Sequence, residues 1–494
     1  MKIFNRENRI DQTPSGGAAT VQTGLNQGVT PAGKYGLAFG SVYVFTLLLY
    51  LRPNELFPEI FGTLSIIKFV AITAVLSYAF GKLSSGEPLS VWVIEVKMML
   101  LMAALCLLLM PVAAAPHESW EVFNDTFSKV VLIFILMVNL LDTRKRLISI
   151  INLVLAGGVW IALGAIKGYL GGGPMLLAKG VPGRIAFEGG GMFGNPNDLA
   201  DALDLLIPLA IALGLFRTGI LRWIYFAVAG LFCVVVMITY SRGGFLGMAA
   251  VLIFMMWKLG RGRRVKMLFA AILIFGFVAV AAPGGFGKRV FTIFDSEQDQ
   301  TGSSYQRRLL LERVIRVAIA RPYGVGMGNY HIYSVNEEKA HNGYLEIAAE
   351  LGILGLIAYL IINFKPLFRL RAMERQLGDS PQGKDRETYY LCVGLQAILV
   401  GYVVCSFFAS IEYLWYLYYP AAYAIGLCRI YELEKVADSS NLALVQVSPA
   451  GAKSAGGVLW KPKLGEGVLW ENSRNLSRET NKKEAKLLGQ AKVQ

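Results

Sequence analysis

The residues with the most chemical reach are Arg242 in YSRGG (240–244), Arg307 and Arg308 in SSYQRRLLLERVIRVAIARP (303–322), and His341 in HNGYLEIAAELGILG (341–355). A guanidinium is a planar fork of donors that fits phosphate oxygens. Arg242 follows an apolar run, where a charge is costly unless it faces water, phosphate or a carboxylate. A snorkelling anchor and a phosphate clamp both meet that condition, and Gly243 and Gly244 beside it would let a ligand approach the backbone. His341 reads either as a structural hydrogen-bonding residue at a helix start or as a general base, since imidazole titrates near neutrality. A third polar cluster, RIAFEGGGMFGNPND (184–198), holds Arg184 and Asn197.

Other chemistries lack their residues. There is no HExxH, no Cys/His cluster and no Asp-x-Asp pair, so metal catalysis has no recognisable ligand set. Gly324, Gly326 and Gly328 alternate in RPYGVGMGNYH, but no Walker Lys-Ser/Thr follows, and a tight turn accounts for them. The five cysteines (Cys106, Cys233, Cys392, Cys405 and Cys428) fall in apolar runs, which argues against a disulfide framework or a thiolate metal site.

The elements that must position these residues are membrane helices. The chain has 494 residues, 55% of them hydrophobic and only 17% charged, with a mean hydropathy of +0.50. Continuous apolar runs of about 20 residues recur along it, enough to cross a hydrocarbon core of about 30 Å. Because the runs do not alternate, they predict helices and not a barrel. We expect an all-α polytopic protein with about 12 spans. They fall at about 36–51, 56–81, 92–113, 128–141, 147–170, 198–216, 221–240, 243–257, 267–282, 347–364, 388–409 and 413–430. Lys68 would lie in the middle of the second span, where it needs a partner or a snorkelling path.

The net charge of +14 is carried largely by short turns, at 142–146, 217–222, 258–266 and 365–386. That is the positive-inside pattern and not a nucleic-acid footprint. With a cytoplasmic N-terminus all four turns are cytoplasmic, so 184–198, 240–244 and 283–345 face outward. The expected divisions are a disordered N-terminus (1–35), nine spans (36–282), a periplasmic loop (283–345), three spans (346–431) and a disordered cytoplasmic tail (432–494). No cleavable signal peptide is evident, and the first span would act as an anchor. The tail repeats GVLWKP (457–462) as GVLWEN (467–472), for which we have no physical account.

Two outward segments have helical patterns. In 303–322, Ser303 or Ser304 would cap a helix that ends before Pro322. Its Leu309, Leu310, Val314, Ile315, Val317 and Ile319 would meet the membrane surface, with Arg307, Arg308, Arg313 and Arg316 polar-facing and Glu312 placed to pair with Arg308 or Arg316. PHESWEVFNDTF (116–127) reads as an interfacial amphipathic segment.

GMFGNPNDLA (191–200), YSRGG, Arg307 ahead of PYGVGMGN (322–329), and HNGYLEIAAELGILG, in this order and on one side, resemble the O-antigen ligase and polymerase superfamily of bacterial glycan enzymes. The resemblance implies a GT-C-like, inverting, metal-independent glycosyltransferase of the bacterial inner membrane, with no cofactor. Its donor would be an undecaprenyl-diphosphate-linked glycan. Its acceptor would be lipid A core, a protein or a growing polysaccharide. By the same likeness Arg242 and Arg307 would hold the diphosphate, with Arg308 and Arg184 as further candidates. His341 would deprotonate the acceptor or steady the diphosphate, supported by Asn342, Tyr240, Ser241 and Asn197. Ligase and polymerase share the donor chemistry, so the motifs leave both open. A transporter or flippase is the reading from another class, resting on the span number and on Lys68.

Overall fold

The computed structural model describes residues 34–53, 59, 66–171, 185–187, 193–260, 265–266, 269, 303–378 and 381–447. Every regular element among them is a helix. In chain order they are α1 Gly36–Leu51, α2 Ile66–Ser84, α3 Ile94–Leu109, α4 Pro116–Val122, α5 Ser128–Leu140, α6 Arg144–Leu170, α7 Pro196–Asp204, α8 Ile207–Phe216, α9 Gly219–Ile238 and α10 Arg242–Leu259. They continue as α11 Ser303–Ala320, α12 Gly343–Glu350, α13 Gly352–Leu377, α14 Gly383–Cys405 and α15 Trp415–Val447. The described residues up to Ala437 form one compact unit.

Eight helical segments among the described residues are long and apolar enough to cross a membrane: 66–84, 94–112, 144–170, 196–216, 219–238, 242–259, 352–377 and 383–405. Leu76, Phe80, Leu108 and Ile220 are more than 60% exposed on their outer faces. Such apolar exposure suits lipid, not water.

Several expected elements take a different form. The amphipathic segment 116–127 is not a separate interfacial piece. α4 runs through a π-helical turn, Phe123–Phe127, into α5, so the fourth span and the segment before it make one helix with a π-bulge. α13 begins at Gly352 and carries much of the charged stretch expected as a turn, 365–386, as far as Leu377, closing at Gly378 with a positive φ of 71°. Lys68 lies on α2 and is exposed, and the residues just before Ile66, within the expected second span, lie outside the described residues. The expected ninth span, at about 267–282, and Arg184 lie outside the described residues.

The bundle has two chemically distinct ends. At one end Arg144 pairs with Glu434 at 2.6 Å and donates to the Lys384 carbonyl, Arg386 donates to the Leu215 carbonyl, and Lys258 pairs with Glu374 at 2.6 Å. Lys34, Lys82 and Glu87 form a further ion cluster there, joined through Arg146, which donates to the Lys34 carbonyl. At the opposite end lie the first turns of α7, α10 and α12 and the turn 406–414.

α11 is a helix as the pattern predicts, but its apolar face is divided. Leu310, Val314 and Val317 are buried, Val314 and Val317 packing with Val325, Tyr330, Ala340 and Ala349, while Ile315 and Ile319 remain exposed. Protein therefore covers part of the face expected to meet lipid. The glycine segment explains how the chain returns: Gly324, Gly326 and Gly328 have φ of 100°, 97° and 72°, a region that favours glycine. This turn docks on the α12–α13 junction through Val325 N to Ala349 O and Gly326 N to Glu350 O, both 2.9 Å. Asn329 ties it to α4 by accepting from Ala115 N and donating to Ser119 Oγ.

Candidate functional site

Helix N-termini build the site. α7 starts at Pro196 with Asn195 as its cap, whose Oδ1 accepts from Asn197 N at 2.8 Å. α10 starts at Arg242 with Ser241 as its cap, accepting from Gly244 N at 3.2 Å. α12 starts at Gly343 with Asn342 as its cap, accepting from Leu345 N at 3.1 Å. Each cap satisfies one of the free N–H groups of a first turn and leaves others for a ligand.

Contacts bring these three starts to one place. Ser241 Oγ donates to Asn197 Oδ1 at 2.9 Å, joining α10 to α7. Asn342 Nδ2 donates to the Phe407 carbonyl and Gly343 N to the Ser406 carbonyl, joining α12 to the turn after α14. A Cβ on Gly243 would lie 3.1 Å from Phe408, and one on Gly244 would lie 2.4 Å from Ala200. The glycines of YSRGG thus seat α10 against α7 and the 406–410 turn. Positive helix-dipole ends gathered in this way favour an anion.

His341 is held in a left-handed conformation (φ 52°) by its surroundings. Its N–H donates to Ser410 Oγ at 3.1 Å, Ser410 donates to Glu346, and Glu346 also accepts from Ala340 N at 3.1 Å. The Glu346 carboxylate, one turn into α12, therefore clasps the backbone on both sides of the residue it positions. Burial, then the charges of Arg307 and Lys339, push the imidazole down to about 4. His341 is neutral at physiological pH for that reason.

The two α11 arginines part company. Arg307 is half-buried, and its charge acts on both His341 and Asp201 of α7. Arg308, the next residue on the helix, is exposed. Arg242, half-buried, opens α10 one residue after Ser241, and Tyr240 before it is buried with φ 54°. His331, in contrast, sits beside the Gly328 carbonyl at 2.9 Å and Glu118 at 3.2 Å, a structural role.

Sequence reasoning missed the acids around this site. Glu346, Glu350 and Glu412 are buried together. Burial pushes all three carboxyls up; each of Glu350 and Glu412 is pushed further by Glu346, and the Lys339 charge opposes the rise at Glu346 and Glu412. Glu350 anchors the glycine turn by accepting from Tyr330 N, and it accepts from Tyr413 OH at 2.8 Å. On α7, Asp198, Asp201 and Asp204 follow at i, i+3 and i+6 on one face. Asp201, Asp204 and Cys405 bring one ligand atom each within 4.8 Å of one another, buried, so a cation could sit there. The signal for these was charge inside apolar runs, which marks function by default.

Residues 226–360 match the family model described as O-Antigen ligase. The chain carries an O-antigen ligase domain. The matched stretch runs from within α9 into α13 and so includes Arg242, both α11 arginines and His341, while α7 lies before it. No curated protein matches the chain. The apolar helices make this a polytopic membrane protein, and its 226–360 segment is of O-antigen ligase type, a family of ligases and related polymerases.

Proposed function

We propose that the protein transfers a glycan from an undecaprenyl-diphosphate-linked donor to an acceptor hydroxyl at the periplasmic face of the bacterial inner membrane. The supporting observation is the meeting of three capped helix N-termini with Arg242, Arg307 and a neutral His341 around the 406–410 turn.

In this reading Arg242 and Arg307 bind the diphosphate, where negative charge grows as the glycosidic bond to phosphate breaks. The N-termini of α10 and α7 add oriented N–H groups that need no reorganisation. His341 accepts the acceptor hydroxyl proton as the oxygen attacks the anomeric carbon from the face opposite the leaving group, inverting the centre. Asn342 and the Glu346–Ser410 clasp hold the His341 backbone in place. No step requires a metal. The bound diphosphate offsets the Arg307 charge on His341, so donor binding makes the imidazole a stronger base.

The acceptor decides between ligase and polymerase. The test is an assay of the purified full chain with an undecaprenyl-diphosphate oligosaccharide and mixed acceptors, read by mass spectrometry, with His341→Ala alongside. We expect glycan on a second molecule and loss of turnover, but not of donor binding, in the variant. Product lengthened on the lipid carrier would identify a polymerase. Unchanged glycosidic bonds, or normal turnover by His341→Ala, would overturn the mechanism.

A further inference from the structure

At the basic end of the bundle, α10, α13 and α14 enclose an open cleft of about 620 Å³. α13 separates it from the site: the helix leaves α12 at Gly352 and has 26 residues, which at 1.5 Å per residue span about 39 Å. The α13 residues of the cleft begin at Leu367, about 22 Å along that length, so the cleft opens toward the end of the bundle opposite His341.

Its walls have two characters. Phe254 and Trp257 of α10 and Leu367 and Phe368 of α13 supply an apolar side, and Trp257 (43%) and Phe368 (60%) stay exposed. Lys258, Arg371 and Arg375 supply charge. Lys258 is committed to Glu374, which also accepts from Gln396 Nε2 at 3.0 Å, so the single acid of the cleft is already neutralised. Arg371 and Arg375, exposed and one helical turn apart, have no ion pair or hydrogen bond among the described residues. Side chains at i and i+4 lie about 5–6 Å apart at Cβ, so both forks can reach one phosphate.

A pair of uncommitted guanidiniums above an exposed Trp and Phe, between transmembrane helices, fits a ligand with a phosphodiester head and hydrocarbon tails. We infer that this cleft is a binding site for an anionic phospholipid of the leaflet opposite the catalytic face, held by Arg371 and Arg375 at its phosphate and by Trp257 and Phe368 at its glycerol and upper acyl chains. Charge selects the lipid: with Glu374 paired, the cleft keeps an excess of two positive charges, which a zwitterionic headgroup matches poorly. The aromatics make a lipid, not a free phosphate, the occupant.

The test is native mass spectrometry of the detergent-purified full chain titrated with phosphatidylglycerol or phosphatidylcholine, for the parent protein, Arg371→Gln/Arg375→Gln and Arg375→Gln. The parent should bind phosphatidylglycerol at least tenfold more tightly than phosphatidylcholine. The double variant should lose about 30-fold in phosphatidylglycerol affinity, and the single variant about fivefold, by the usual worth of a basic residue at an anionic surface. Phe368→Ala should weaken phosphatidylglycerol while leaving inorganic phosphate unable to compete at millimolar concentration. Equal binding of the two lipids by the parent, unchanged phosphatidylglycerol affinity in the exposed single and double variants, or full displacement by inorganic phosphate would each overturn the assignment.

Discussion

His341 differs from a surface histidine in that burial, Arg307 and Lys339 all oppose its protonation. The consequence for rate has a definite sign. The base form is the neutral one, and it predominates above the folded pKa of about 4. The acid limb of kcat/KM, which reports the free enzyme, should therefore lie near pH 4 and not near the unperturbed value of about 6.5. Because the donor's diphosphate screens Arg307, the limb in kcat should fall at higher pH than the limb in kcat/KM. Initial rates over a pH series check both, and a kcat/KM limb at 6.5 would show that the imidazole is not in this environment during turnover. The arginines make a second contrast. Arg307→Ala should lower kcat by about 10²–10³-fold, the usual cost of losing a group aimed at developing charge. Exposed Arg308→Ala should change kcat by less than about threefold. Steady-state kinetics of the two variants decide which arginine acts, a question the adjacent pair in the sequence leaves open.

Among the elements, α12 has the most to do for its size. In eight residues it caps itself with Asn342, clasps the His341 backbone through Glu346 and anchors the glycine turn through Glu350. Glu346→Ala leaves Ser410 and Ala340 N without their acceptor, a loss of about 1.5–3 kcal/mol for each charge-assisted bond. Since His341 does its work in the transition state, kcat should fall at least tenfold with KM little changed, and Glu346→Gln should restore part of the rate. A rise in KM at constant kcat would instead mean that the clasp serves binding. The glycine turn depends on its backbone. At Gly324, φ is 100° and a Cβ would lie 2.4 Å from the Glu350 carbonyl. Gly324→Ala should destabilise the protein by at least about 1–3 kcal/mol and lower Tm by several degrees in a thermal melt. α11 was visible in the sequence through periodicity and a capping serine, and α10 through its apolar run. α12 was not, because Gly343–Glu350 continues the apolar pattern of α13 and only the break at Leu351 separates them. Nor did local sequence reveal that α4 and α5 form one bulged helix, since the polar residues of 116–127 resemble an interfacial segment until Ser119 and Phe127 are seen buried.

For the whole molecule, hydropathy and basic turns suffice to read a membrane bundle with two unlike ends, because both are properties of short windows. What they cannot reach is the packing that carries Asp198, Asp201, Glu346 and Glu412 to the same end as His341, since those partners are far apart in sequence and their contacts depend on helix rotation. The two ends themselves support a directional prediction. Ser85, exposed after α2, belongs to the end where Lys82 meets Glu87 and Arg146 meets Lys34. Val335, 38% exposed beyond α11, belongs to the end of His341. Basic residues are retained in the cytoplasm during insertion, so the first end should be cytoplasmic and the second periplasmic. A membrane-impermeant maleimide added to intact spheroplasts should label Val335→Cys fully and Ser85→Cys only after permeabilisation. Four of the five native cysteines, Cys106, Cys392, Cys405 and Cys428, are buried, and the half-buried Cys233 is replaced by serine in both variants. Reversed labelling would move the candidate site to the cytoplasm, where a periplasmic acceptor could not reach it, and would refute the proposed reaction at the level of topology even if every residue-scale effect were found.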